Sequence, residues 1–364
     1  MNKPAVIARG LGVVYPLWQD LLLLCVSWLA TGTAGLLAVS SCLLLSRFGG
    51  VDDPASHGIA VRQASRMGGS IIAVFLLVGL LQTADAKTAQ LPAIYPIGLL
   101  AVLGFYLLGL AEDIITDISP LLRLTLMALL ATFFVLGAGY FASLAAAPIA
   151  APAWFDRYGF LAIVAAIFWV TLLPNAFNIA DGANGLIAGI SLFVLLALID
   201  SGTALGLPVA TWELLVAGTL LFLLPNLLIG RIFLGDGGAY LLGAAVAMSI
   251  LSVVSQTPEL TLYFAVLIFY PLMDLGWAIV RRVAVGGSPF VADEDHLHNC
   301  LHSYYRRHLS ATLANSLTGL TIAVLFSGLP YWVGQQWGAS DVDWGWIIGA
   351  QLAVYALLNR LLPR

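Results

Sequence analysis

Charge is what this chain has least of. Only 9% of its 364 residues are Asp, Glu, Lys or Arg, against 61% hydrophobic, and the mean hydropathy is +0.98. A soluble domain cannot cover itself with so few charges, so the composition is that of an integral membrane protein. The formal net charge of −4 is small and says little by its sign, since orientation in a bilayer follows the placement of Lys and Arg; no nucleic-acid surface is implied. Cysteine is scarce as well. Cys25, Cys42 and Cys300 form neither a CxxC pair nor a Cys/His ligand spacing, which argues against a disulfide framework or a zinc knot. No HExxH occurs, and no third nitrogen stands at ligand distance from the histidines. No cleavable signal peptide is expected, because the first long apolar run, near residues 21–45, is longer than a signal h-region and should stay as an anchor.

What is there is a succession of apolar runs. A helix needs roughly 20 apolar residues to cross a bilayer. By that measure the sequence predicts an all-α, polytopic transmembrane bundle with about eleven spans, near residues 18–45, 68–83, 93–111, 121–145, 159–177, 185–200, 209–229, 237–254, 260–280, 311–334 and 344–362. No soluble domain fits between them, so residues 1–364 read as one membrane domain. Its loops on one side fall at about 46–67, 112–122, 174–184, 230–236 and 281–310. Alternate loops share a side, and eleven of the fifteen Lys and Arg, from Arg47 to Arg364, lie on that side. Only Lys3, Arg9, Lys87 and Arg157 lie on the other. The positive-inside rule makes the arginine-rich side cytoplasmic and the N-terminus external.

Four polar islands interrupt the oil, all on the arginine-rich side: Gly109–Asp113 (GLAED), Asn175–Gly185 (NAFNIADGANG), Phe233–Gly237 (FLGDG) and Asp293–Asn299 (DEDHLHN). A carboxylate at membrane depth is tolerated where it faces a cavity, a metal or a substrate, so the islands are expected to converge on one site. Asp113, Asp181 and Asp236 are candidate ligands for a hard divalent cation, which takes oxygen donors. Asp181-Gly182 and Asp236-Gly237-Gly238 allow close backbone approach to a phosphate at a helix N-terminus. A single Asp-Gly is by itself an ordinary cap or turn; three on one side are not.

His296 and His298, two residues apart, share a strand face and are open to either metal ligation or phosphate contact. Arg281 and Arg282 are candidates for offsetting substrate charge, or a positive-inside flank. Asn175, Asn178 and Asn226 either read a base or sugar or satisfy backbone beside Pro174 and Pro225. Asp274, inside a span, is expected to make an interhelical hydrogen bond rather than to take part in catalysis.

With these residues the chain resembles, over most of its length, the polyprenyl-phosphate N-acetylhexosamine-1-phosphate transferases. NAFNIADGANGL, NLLIGRIFLGDGG and PLMD are similar to that family's motifs. SPFVADEDHLHN looks like the sugar-recognition loop of its undecaprenyl-phosphate N-acetylglucosamine branch. The resemblance implies Mg²⁺ as cofactor, with Mn²⁺ as the alternative, held mainly by Asp236 with Asp181 and Asn178, and Asp113 close by. It implies Glu112 and Asp113 as the family's acidic pair and Asn226 near the uridine. His296 and His298 match the histidine motif, and Arg281 and Arg282 flank the sugar loop. His57, Arg62 and Arg66 are the candidates to stand in for the Lys and His of the first loop. The implied substrates are a UDP-N-acetylhexosamine and polyprenyl phosphate, within the inner membrane of a bacterium and with the active site cytoplasmic. Analogy with homologous proteins adds a homodimer. The implied product starts a lipid-linked envelope glycan, and UMP is released.

The chain departs from the family pattern at Glu112, where Asp is usual, at Asn184, where a second acid is usual, and at Asn299, where His is usual. Those departures keep a catalytically altered paralogue as one alternative. A secondary transporter, which also combines interrupted helices with buried carboxylates, is the other.

Overall fold

The computed structural model describes residues 17–47, 51–52, 64–87, 94–115, 118–144, 153–284, 286 and 295–362. Helix α1 is Leu17–Leu45, bent at Gly32, and the strands β1 (Val51–Asp52) and β2 (Ala64–Ser65) pair antiparallel. Then come α2 (Gly69–Lys87), α3 (Ile94–Ile115), α4 (Pro120–Leu144), α5 (Ala153–Ala180), α6 (Leu186–Ala204), α7 (Ala210–Ile229) and α8 (Gly235–Val254). The chain continues through α9 (Thr261–Leu267), α10 (Phe269–Ala284), α11 (Leu297–Arg306), α12 (Ala311–Ala323), α13 (Leu329–Trp337) and α14 (Trp344–Leu361).

All eleven predicted segments are helical where described, and the molecule is an all-α membrane bundle. Seven described helices are long and apolar enough to cross a bilayer, or eight if α9 and α10, bent by 68° at their junction, count as one. That is fewer than the eleven predicted. The described apolar parts of α1 and α2 are short, and α14 carries Gln351, Asn359 and Arg360 among its apolar residues. Two stretches expected as loop are helical instead. α5 continues through Pro174 to Ala180, and residues 297–306 form α11.

Helix α8 is the axis. Nearly all of it from Gly237 to Val253 is buried, because small residues let its neighbours approach backbone to backbone. A Cβ on Gly109 of α3 would strike the Asp236 carbonyl, one on Gly69 of α2 would strike Gly238, and one on Gly243 would strike Pro174 of α5. Close backbone packing of this kind is how helices associate where no water drives them together. Its consequence is positional: the C-terminal end of α3, the start of α2 and the end of α5 all meet the N-terminal turn of α8.

The loop before α2 is tied to the same turn. Ser65 N–H donates to the Arg231 carbonyl (2.9 Å) and Phe233 N–H to the Ser65 carbonyl (2.7 Å). Gly68 and Gly69 N–H then donate to the carbonyls of Phe233 and Leu234.

Candidate active site

The first turn of α8 is built around Gly235, whose φ of +71° suits glycine alone. A Cβ there would collide with the Arg66 carbonyl and with a carboxylate oxygen of Asp113. Asp113, at the end of α3 and 2% exposed, accepts from Asp236 N–H (3.1 Å) on one oxygen and from Gly237 N–H (3.0 Å) on the other. These are among the donors that a helix start leaves without partners. A carboxylate supplied by another helix caps them, and it aims Asp236 in doing so.

Asp236 in turn accepts from Asn178 Nδ2 at 2.5 Å, which joins the end of α5 to the centre. Asp181, just beyond α5, lies within electrostatic reach of Asp236. Enclosure by the protein pushes its carboxyl up to about 8, and the Asp236 charge adds to the rise. The guanidinium of Arg66 lies within electrostatic reach of both Asp113 and Asp236.

Glu112 lies within electrostatic reach of Asp236 and is held by two partners of its own. Its Oε1 accepts from Arg123 of α4 at 2.8 Å and its Oε2 from the Tyr240 hydroxyl at 2.7 Å. Glutamate is long enough to bridge both partners, which gives a physical use for the extra methylene at a position where the family pattern has Asp.

The Asn184 departure also has a local explanation. Asn184 N–H donates to Asn315 Oδ1 (2.7 Å), its Nδ2 to Ser316 Oγ (3.3 Å), and its Oδ1 accepts from Asn226 Nδ2 (3.4 Å). Asn226, 3% exposed, also donates to the Ile232 carbonyl (2.8 Å) and accepts from Gly185 N–H (2.8 Å). Its amide is committed to protein partners, fastening the turn after Asp181 to the segment before Asp236.

His296 and His298 lie beside this turn. The two rings stack with centroids 5.2 Å apart and planes 9° off parallel. A Cβ on Gly182 would fall on His298 Nε2, so the imidazole fills the space that glycine leaves next to Asp181. Burial pushes His298 down to about 4, and His302, one turn along α11, is pushed to about 4 by burial and then by Arg306. Both are therefore neutral near pH 7.

The glycosyl transferase family 4 model matches residues 95–254, the stretch from α3 to α8 that carries Asp113, Asp181 and Asp236. The decaprenyl-phosphate N-acetylglucosaminephosphotransferase of Mycobacterium tuberculosis is 31% identical, over 77% of this chain and 75% of its own. The chain belongs to glycosyl transferase family 4. A probable undecaprenyl-phosphate N-acetylglucosaminyl 1-phosphate transferase of Bacillus subtilis is 26% identical over 76% of each chain. The undecaprenyl-phosphate alpha-N-acetylglucosaminyl 1-phosphate transferase of Thermotoga maritima is 32% identical over 53% of this chain, and that match spans only 57% of the relative.

Of the residues the sequence singled out in this family 4 member, the fold brings Arg66, Asp113, Asn178, Asp181 and Asp236 to one end of the bundle. Arg281 and Arg282 close the last turn of α10. His57, Arg62, Asp293 and the SPFVA stretch lie outside the described residues.

Asn178, Asp181 and Asp236 offer carboxylate and amide oxygens, a set that suits a hard divalent cation better than zinc, which favours His and Cys. Among the described residues, one group of three His and carboxylate ligand atoms lies within 4.8 Å, and it stands beside this centre rather than in it: Asp274, His296 and His298.

Sequence reasoning missed Arg123 and Tyr240 as parts of the site. Tyr240 stands four residues after Asp236, on the same helical face, and that spacing was a usable signal. Arg123 is one of the eleven cations on the arginine-rich side, and nothing in its local sequence sets it apart from them.

Proposed function

We propose that this chain transfers an N-acetylhexosamine 1-phosphate, of the N-acetylglucosamine type, from a UDP-sugar to a polyprenyl phosphate, releasing UMP and starting a lipid-linked envelope glycan. The whole of residues 1–364 acts as one domain crossing the bacterial inner membrane eleven times, with the acidic centre at the cytoplasmic face. The observation that carries this reading is the convergence of Asp181, Asp236 and Asn178 on the capped start of α8, in a family 4 chain whose relatives are named for this transfer.

In this reading an oxygen of the lipid phosphate attacks the sugar-proximal phosphorus of the donor. The bond from that phosphorus to the bridging oxygen breaks, and UMP leaves with that oxygen. Phosphoryl transfer of this kind is mainly positioning and charge neutralisation. Asp236, Asp181 and Asn178 would hold Mg²⁺, which when bound supplies positive charge to the diphosphate oxygens. Asp113 holds the first turn of α8 in place, so that Asp236 and the N–H groups around it keep a fixed orientation. Arg66, Arg281 and Arg282 offset the anionic charge of the substrates. His296 and His298 turn ring nitrogens toward the phosphates. The base requirement is light, because a phosphate monoester loses its second proton near pH ~6, so at neutral pH the acceptor is mostly a dianion.

A secondary transporter fits less well, since its charged groups sit near the bilayer midplane, whereas these sit at helix ends. The deciding assay measures UMP release by purified protein with Mg²⁺ and undecaprenyl phosphate across UDP-N-acetylglucosamine, UDP-N-acetylgalactosamine and related donors. Release that requires lipid phosphate, metal and Asp236 is expected. Folded wild type that releases no UMP from any donor would overturn the reading.

A further inference from the structure

Asp274 lies within α10 and has no exposed surface, and the reaction described above does not use it. A buried carboxylate needs partners, and this one has them on both oxygens. His296 Nδ1 is 2.7 Å from Oδ2, and the Tyr355 hydroxyl, reaching in from α14, donates to Oδ1 at 3.0 Å. His298 Nδ1 is 4.0 Å from the same Oδ2 and 3.1 Å from the Tyr270 hydroxyl. Both stacked imidazoles therefore turn Nδ1 toward one carboxylate and Nε2 away from it. On His298 the outward nitrogen rests against Gly182, the residue after Asp181.

These three side chains have the composition of a metal site, but not the spacing. Tetrahedral zinc bound at its usual ~2.0 Å keeps neighbouring ligand atoms about 3.3 Å apart. The 2.7 Å between His296 and Asp274 is instead a charge-assisted hydrogen bond. An ionised carboxylate only accepts, so the proton between them belongs to Nδ1. A carboxylate placed so fixes both the ring orientation and the tautomer of a histidine.

We propose that Asp274 is the positioning residue of the histidine pair. It holds His296 with its proton on Nδ1, Tyr355 fixes the carboxylate from the last helix, and His296 Nε2 is thereby presented to the phosphate oxygens of the donor. This rests on the reading that a UDP-sugar diphosphate occupies the acidic centre. Asp274 touches no reacting atom and acts only through His296.

The experiment combines a double-mutant cycle with ¹⁵N-imidazole spectra of histidine-labelled protein, His296 being assigned by difference from His296→Ala. Asp274→Asn keeps the side-chain volume, but Tyr355 claims the amide oxygen and the amide NH₂ faces Nδ1. The His296 proton should then move to Nε2. The expected loss in kcat/KM is about 10- to 100-fold, the usual cost of removing an orienting partner, with only a few-fold loss for Tyr355→Phe. In the His296→Ala background, Asp274→Asn should cost less than about twofold, because residues that act as a unit are not additive.

Full multiplicative loss in both backgrounds with an unchanged tautomer would make Asp274 merely structural and overturn the proposal. Wild type without UMP release would sink the transferase reading instead, and the tautomer comparison alone would then decide the positioning role. Should Asp274→Asn fail to fold, Tyr355→Phe carries the same cycle.

Discussion

Asp113 is the sharpest place to separate chemistry from scaffolding. Its two oxygens accept from the first N–H groups of α8, so Asp113→Asn offers one acceptor where two are needed and turns an NH₂ toward the second N–H. Leaving one buried donor unsatisfied costs about 1–3 kcal/mol, and some charge–dipole attraction at the helix start is lost with it, on the order of 1 kcal/mol. For a chain of this size that corresponds to a melting temperature lower by a few degrees. If the turn relaxes enough to move Asp236 by about 1 Å, the rate falls by about 100-fold.

The assay is UMP release at pH 6.5 to 8.5, beside thermal unfolding in detergent. A positioning role gives a ratio of wild-type to mutant kcat/KM that stays flat with pH. A general base working on the acceptor phosphate would be needed less as that phosphate loses its second proton. A ratio that collapses toward one with rising pH would therefore refute the capping argument.

Gly182→Ala places a methyl on His298 Nε2. It should lower activity at least tenfold and, by overpacking a buried ring, cost about 1–3 kcal/mol of stability; a fully active variant would mean that the histidine need not sit against this turn. Glu112→Asp restores the family's acidic pair but is too short to bridge Arg123 and Tyr240. The expected result is about 1–2 kcal/mol of lost stability, since the Arg123 side chain is only 22% exposed, with activity kept within tenfold. Shape-conserving Glu112→Gln proving as inactive as Asp236→Ala would give Glu112 a chemical role after all.

Acid should destabilise the fold through His298 and His302. Both are held near 4 when folded, against 6.5 when free, so between those values the unfolded chain binds protons that the folded one does not. Stability is then complete above pH 6.5 and falls as the pH drops toward 4, by at most about 1.4 kcal/mol per pH unit for each imidazole. His298→Gln with an unchanged acid limb would argue against this.

The all-helical membrane architecture was legible because hydropathy acts over long windows and is indifferent to small errors of boundary. Helix ends were not. α5 carries through Pro174, packed there against Gly243 of α8, and residues 297–306 form a polar helix too short to register as an apolar run. The acidic residues could be picked out one by one, since a carboxylate in so oily a chain needs a reason. Their division of labour could not. Glu112 and Asp113 are adjacent in sequence, yet one bridges Arg123 to Tyr240 and the other caps α8.

A polytopic helical membrane protein with its polar groups gathered in a few islands follows from composition and pattern, because the cost of charge in hydrocarbon applies residue by residue. Which of those groups meet depends on the packing of the whole bundle. Asn226, a candidate for base or sugar contact or for backbone support, makes hydrogen bonds with Asn184 and Gly185 that link residues 42 and 41 positions away. Asp274 and Tyr355, 81 residues apart, share a hydrogen bond that no local pattern announces. Such pairings depend on how α3, α10 and α14 are packed and rotated about the axis of α8, which is set by glycine contacts and side-chain volumes summed over the whole bundle rather than by any one stretch of chain.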